Sequence, residues 1–151
     1  MAFSRRKWMG TALALGAASA ALLTPLRALA RSGPAFAAES ADSALSTLFG
    51  DQVIEESEQI VLKIPDIAEN GAVVPVTVST DIDGVQRIVI VVDENPNPLS
   101  ASFSIKPDAF ADISTRVKMG KSSRVRALVQ TSDKVYVTSK EVKVTIGGCG
   151  G

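Results

Sequence analysis

The chain has 151 residues and a formal net charge of zero, a length that accommodates one domain and an additional segment. It has no histidine and a single cysteine, which excludes the commonest general base, a cysteine-ligated zinc or iron–sulfur site and an internal disulfide. The carboxylates lack the spacing of a calcium-binding loop, so no metal is expected. Residues 38–151 carry 11 basic and 16 acidic residues, and this acidic balance argues against a nucleic acid partner.

The first 37 residues have the features of a cleaved signal peptide. They contain five basic residues and no acidic one, and an apolar run of small residues at Thr11–Leu23. This run is shorter than the roughly 20 residues of a membrane-spanning helix, so no membrane anchor is expected. Ala35-Phe36-Ala37 is an A-x-A cleavage signal, and Ala28-Leu29-Ala30 is a second one. The sequence predicts cleavage after Ala37, with cleavage after Ala30 as the alternative.

The arginine pair Arg5-Arg6 favours twin-arginine export to the periplasm. Ser4 precedes the pair, and Lys7 and the large apolar Trp8-Met9 follow it. An ordinary secretory signal, which needs only positive charge, is the alternative. Twin-arginine export carries folded proteins, usually because a cofactor is inserted first. Since this chain lacks cofactor ligands, we expect a folded partner to be exported with it.

Residues 38–58 are predicted to form a short helix and a linker. Apolar side chains recur in the spacing of an amphipathic helix at Ala44, Leu45, Leu48 and Phe49, with Asp42 or Ser43 as the expected N-cap.

Residues 59–146 read as seven or eight short strands separated by turns. Val74, Val76 and Val78 alternate with smaller or polar residues, and the apolar run in "VQRIVIVVD" predicts a strand buried on both faces. Pro75 cannot donate a ladder hydrogen bond, which predicts an edge strand or a bulge. Val142, Val144 and Ile146 are expected to point inward on a separate closing strand. The predicted fold is all-β, an immunoglobulin-like antiparallel β-sandwich.

Residues 147–151 are predicted to form a flexible arm. Gly147, Gly148, Gly150 and Gly151 surround Cys149, and glycine allows almost any backbone angle at a high entropic cost of ordering. Fully extended, five residues span at most about 17 Å. Glycine offers no base or cation that favours the thiolate, so Cys149 is expected to serve as an accessible attachment point for a substrate and not as an autonomous catalyst.

Five segments of the sequence are informative together: the C-terminal "VKVTIGGCGG", "IAENGAVVPVTV" (67–78), "ENPNPL" (94–99), "RVKM" (116–119) and "VRALV" (125–129). They resemble the SoxY family, the sulfur carriers of bacterial thiosulfate oxidation. The resemblance extends over residues 45–151, and the C-terminal segment carries it most specifically. The resemblance implies a heterodimer with a SoxZ-like subunit. It also implies that Cys149 holds intermediates as a cysteine S-thiosulfonate, with no other cofactor.

The same resemblance implies three partner enzymes in the periplasm. A haem enzyme, SoxAX, attaches thiosulfate oxidatively, a hydrolase, SoxB, releases sulfate, and in some systems a sulfane dehydrogenase, SoxCD, oxidises the retained sulfur. Two alternatives stay open from the residues alone. One is a ubiquitin-like sulfur carrier that uses a C-terminal thiocarboxylate, and the other is a structural sandwich that dimerises through Cys149.

Overall fold

The structure is a computed structural model that describes residues 33–145. The predictions for Arg5 and Arg6, and those for Ile146 and residues 147–151, lie outside the described residues. Two helices precede nine strands: α1 (Gly33–Phe36), α2 (Ala41–Phe49), β1 (Ile54–Glu56), β2 (Ile60–Lys63), β3 (Ile67–Ala68), β4 (Val74–Thr80), β5 (Arg87–Val92), β6 (Leu99–Ser104), β7 (Asp112–Val117), β8 (Ser123–Gln130) and β9 (Val135–Val144).

The strands form two sheets, which confirms the predicted all-β sandwich with a short helix. The larger sheet has the order β1-β9-β8-β5-β6, with β3 also paired to β9, and the smaller sheet has the order β2-β4-β7. The pairing is antiparallel except that β1 and β3 run parallel to the first and last parts of β9. The predicted closing strand is not separate, because β9 is one continuous strand of ten residues.

Alternating apolar side chains fill the space between the sheets. Val74, Val76 and Val78 lie on one face of β4, as their alternation predicted. They are buried there and pack in one cluster with Ile88 and Ile90 of β5. Burying each such side chain stabilises the fold by about 1.5–3 kcal/mol relative to exposure.

Strand β5 is buried on both faces, as its uninterrupted apolar run predicts. Its other face carries Val89 and Val91, which pack with Ala44, Leu45 and Phe49 of α2 in a second cluster. The amphipathic helix therefore covers the outer face of the larger sheet.

The N-cap of helix α2 lies two or three residues before the predicted positions, Asp42 or Ser43. Ser40 is the N-cap, and its hydroxyl accepts a hydrogen bond from the Ser43 backbone N–H at 3.2 Å. Asp42 instead lies in the first turn, where the negative charge of an acidic side chain interacts favourably with the helix dipole. The helix ends at Phe49, and its C-cap Gly50 has a φ of 58°, which is readily adopted only by residues such as glycine. Neither of the two described helices is long and apolar enough to cross a membrane.

Helix α1 lies within the region predicted to be cleaved. Ala35, the first residue of the predicted cleavage signal, is fully buried in the second cluster with Ala44 and Leu99. Cleavage after Ala37 removes this contact, whereas cleavage after Ala30 preserves it. The position of cleavage stays a prediction.

Pro75 does not mark an edge strand, because β4 is the central strand of the smaller sheet. The neighbouring strand β2 ends at Lys63, which pairs with Thr77, so only β7 pairs with Pro75. The proline is tolerated because one side of β4 is locally unpaired at this position.

Candidate functional site at the end of strand β9

The end of β9 is held on both sides immediately before the C-terminal segment. On one side, Val144 pairs with Ala68 of β3, and the Thr145 N–H donates to the Ala68 carbonyl at 3.1 Å. On the other side, the Val144 N–H donates to the Ser122 hydroxyl at 2.9 Å. Hydrogen bonds on both sides therefore fix the last described residues, which end four positions before Cys149.

A turn at Asn70-Gly71 packs closely beside this strand end. The Asn70 side-chain oxygen accepts from the Ala72 N–H at 3.0 Å, and the Met119 N–H donates to the Gly71 carbonyl at 2.6 Å. A Cβ atom at Gly71 would collide with the Met119 carbonyl oxygen and would lie 2.9 Å from the Val144 Cγ1 atom. The close approach of these two backbones therefore requires glycine at position 71.

The proline-rich loop that follows β5 contacts the same region through Asn95. The Asn95 amide donates to the Lys118 carbonyl at 2.7 Å, and its side-chain oxygen accepts from the Gly120 N–H at 3.1 Å. One side chain thus fixes the backbone on both sides of Met119, which is itself almost fully buried.

Two arginines of β8 hold the start of this loop. The Asp93 carboxylate accepts from the Arg124 Nε at 2.8 Å and from the Arg126 Nε and Nη2 at 2.8 and 2.9 Å. The hydrogen bond to Asp93, reinforced by its charge, raises the pKa of Arg124 above its ordinary value. Because the Asp93 side chain is only 13% exposed, these charge-assisted bonds also satisfy a largely buried carboxylate.

Three of the segments that carry the family resemblance meet at this end of the sandwich. Gly71 lies in "IAENG", Asn95 in "ENPNPL" and Met119 in "RVKM". The sequence indicated a turn and a proline-rich loop, but not that both contact the residues after β7. We call the region around Gly71, Asn95, Met119 and Val144 the β9 end of the sandwich.

The predicted attachment residue and its neighbours are not among the described residues. Cys149 and the four glycines Gly147, Gly148, Gly150 and Gly151 follow the last described residue, and Arg5 and Arg6 precede the first. Between residues 33 and 145, no cluster of three or more histidine, cysteine or acidic side chains is arranged to hold a metal ion.

The last strand, β9, ends at Val144, five positions before the single cysteine of the chain. The family model described as sulfur oxidation protein SoxY matches residues 45–149, from within α2 to Cys149 itself. The chain belongs to the SoxY family of sulfur carrier proteins.

Solved structures agree with this assignment. The structure of the sulfur carrier protein SoxY from Chlorobium limicola f thiosulfatophilum is 44% identical, with a TM-score of 0.64, and the alignment covers 70% of this chain and 96% of that chain. A chain in a structure concerning T cell activation by toxic shock syndrome toxin-1 is 10% identical, with a TM-score of 0.41 over 57% of this chain and 99% of that one. No curated protein matches the chain.

Proposed function

We propose that this protein is a non-catalytic periplasmic carrier that holds intermediates of thiosulfate oxidation on the thiol of Cys149. The observation that carries the proposal is the match to the sulfur carrier family, which extends through the whole sandwich and ends at Cys149. The fixed end of β9 supports it, since a carrier must present its substrate from a defined position.

The carrier chemistry needs a nucleophilic sulfur and two enzymes that act on it. In the first step, the Cys149 thiolate and thiosulfate join through a new S–S bond, and two electrons pass to a haem enzyme of the SoxAX type. In the second step, water cleaves the bond between the sulfane sulfur and the sulfonate group under a SoxB-type hydrolase. Sulfate and protons are released, and a persulfide stays on Cys149. A SoxCD-type dehydrogenase then oxidises that sulfur where it is present.

The glycines around Cys149 suit this division of labour. They provide no general base, so the activating groups come from the partner enzymes, and they add no side-chain bulk that would obstruct entry into a narrow channel. The C-terminal arm of residues 147–151 thus acts as a thin tether for the thiol.

We also propose that the carrier functions as a heterodimer with a SoxZ-like subunit. Among the described residues, several apolar side chains remain exposed, including Val61 at 47% and Phe110 at 95%. A partner that covered such side chains would add apolar burial, and small domains often gain stability in this way.

Substitution of Cys149 by serine tests the carrier function directly. Cys149→Ser replaces the thiol by a hydroxyl, which is a far poorer sulfur nucleophile in nearly the same shape. Cells that carry only this variant should lose thiosulfate oxidation, while the variant is exported and folds like the wild type. Thiosulfate consumption at the wild-type rate by such cells would refute the proposed role of Cys149.

A further inference from the structure

The short distance along the chain from the sandwich to Cys149 limits how far away a partner enzyme can remain. Thr145 is the last described residue, and Cys149 lies four positions beyond it. Because an extended chain spans at most about 3.6 Å per residue, the two Cα atoms are at most about 14 Å apart. An enzyme that receives Cys149 in a channel of similar depth must therefore bring the rim of that channel against the β9 end of the sandwich.

Two apolar side chains are exposed at this end. Ile67 is 56% exposed, and it lies on β3 in register with Lys143, next to the last residue of β9. Val73 is 49% exposed, and its N–H donates to the carbonyl of Asn70 in the turn that packs beside Val144. Each can be covered by a protein surface without any change in the core.

Basic side chains flank these two residues. Lys143 lies on β9 immediately after the buried Val142. Lys118 lies immediately after β7, in the segment that the Asn95 side chain fixes. Within residues 33–145, neither lysine has a carboxylate at ion-pair distance, whereas Lys121 pairs with Glu94 at 2.8 Å. Two exposed ammonium groups thus remain available at this end, although residues 38–151 as a whole are acidic.

We propose that Ile67, Val73, Lys118 and Lys143 form a docking surface, the exit face, for the channel rims of the enzymes that act on Cys149. The inference rests on the proposed carrier function and adds the surface and its chemistry. The matching rim is apolar where it covers Ile67 and Val73, and it carries carboxylates opposite the two lysines. Such charge complementarity mainly increases the association rate, whereas apolar contact at the centre of an interface supplies affinity.

The test uses the carrier loaded chemically on Cys149. The thiolate attacks a sulfane sulfur of tetrathionate, the central S–S bond breaks, thiosulfate leaves, and the cysteine S-thiosulfonate remains. Hydrolysis of this adduct by the SoxB-type enzyme is then followed as sulfate release over a range of carrier concentrations.

Ile67→Gln combined with Val73→Gln should raise KM at least about tenfold, the effect of losing about 1.4 kcal/mol of binding, with little change in kcat. Lys118→Gln combined with Lys143→Gln should lower kcat/KM and weaken its dependence on salt concentration. Because all four side chains are exposed, the variants should fold normally. The reaction of Cys149 with tetrathionate should also stay at the wild-type rate.

Val53→Gln combined with Ile54→Gln is the matched control. Val53 is 62% and Ile54 41% exposed, and both lie beside Val135 at the start of β9, away from the β9 end. The control should keep the wild-type KM. If the exit-face variants also keep the wild-type KM while the loaded wild type is hydrolysed, the proposed docking surface is refuted and the carrier function stands. If the loaded wild type is not hydrolysed at all, the proposed function fails and the docking surface with it.

Discussion

The backbone N–H of Met119 donates a 2.6 Å hydrogen bond to the carbonyl of Gly71, and this contact joins two loops beside the last residue of β9. Met119 is 2% exposed, so the contact belongs to the core as well as to the surface turn. It places the turn after β3 against the segment after β7, next to Val144. The position of the last residues of β9 therefore depends on Gly71.

Substitution of Gly71 by alanine should destabilise the domain. The added Cβ collides with the Met119 carbonyl oxygen, and overpacking of this kind costs about 1–3 kcal/mol. Urea unfolding of the mature protein should show a lower midpoint with an unchanged slope. Gly120→Ala is the control at the same end, because its new Cβ would meet only the Asn95 side-chain oxygen at 4.0 Å. Equal stability of the two variants would contradict the close approach at Gly71.

The glycines around Cys149 are expected to provide access to enzyme channels. Gly148→Val combined with Gly150→Val keeps the thiol but adds branched side chains that stiffen and thicken the arm. Turnover by the partner enzymes should fall by one or more orders of magnitude, as positioning losses commonly do. The reaction of the same protein with a small thiol reagent should change little. Wild-type values in both assays would show that the glycines do not serve access.

Export is expected to depend on the arginine pair. Arg5→Lys combined with Arg6→Lys keeps the positive charge that an ordinary secretory signal needs but removes the twin-arginine motif. The precursor should accumulate in the cytoplasm together with its SoxZ-like partner, which fractionation and immunoblotting would detect. Normal amounts of mature protein in the periplasm would favour ordinary secretion.

Much of the fold follows from local patterns in the sequence. The apolar run of β5 predicted burial on both faces. The structure shows this burial, since one face meets the smaller sheet and the other meets α2. The alternation of Val74, Val76 and Val78 predicted that they share one face of β4, and this is the face that is buried. Such patterns can be read from the sequence because the burial of each position is reflected in the residue type at that position.

Other features depend on contacts between distant parts of the chain. Strands β1 and β3 have three and two residues, and both form only because β9 offers an unpaired edge. The tolerance of Pro75 depends on where β2 ends, and the need for glycine at position 71 depends on Met119. No local pattern contains this information.

The residues of the candidate site also differ in whether the sequence alone indicates them. Cys149 stands out in the sequence because it is the only cysteine and glycines surround it. The residues that hold the end of β9, such as Asn95 and Ser122, are ordinary polar residues in loops. Their importance emerges only from the hydrogen bonds that the fold creates.

Mass spectrometry of the intact mature protein from thiosulfate-grown cells shows whether Cys149 carries sulfur intermediates. We expect a species heavier by one S2O3 unit, located on the peptide that contains Cys149, removed by a thiol reductant and absent from Cys149→Ser. A sulfur modification that persists in Cys149→Ser, such as a C-terminal thiocarboxylate, would refute the carrier role of Cys149. So would a wild-type protein that carries only an unmodified thiol or an intermolecular disulfide during active thiosulfate oxidation.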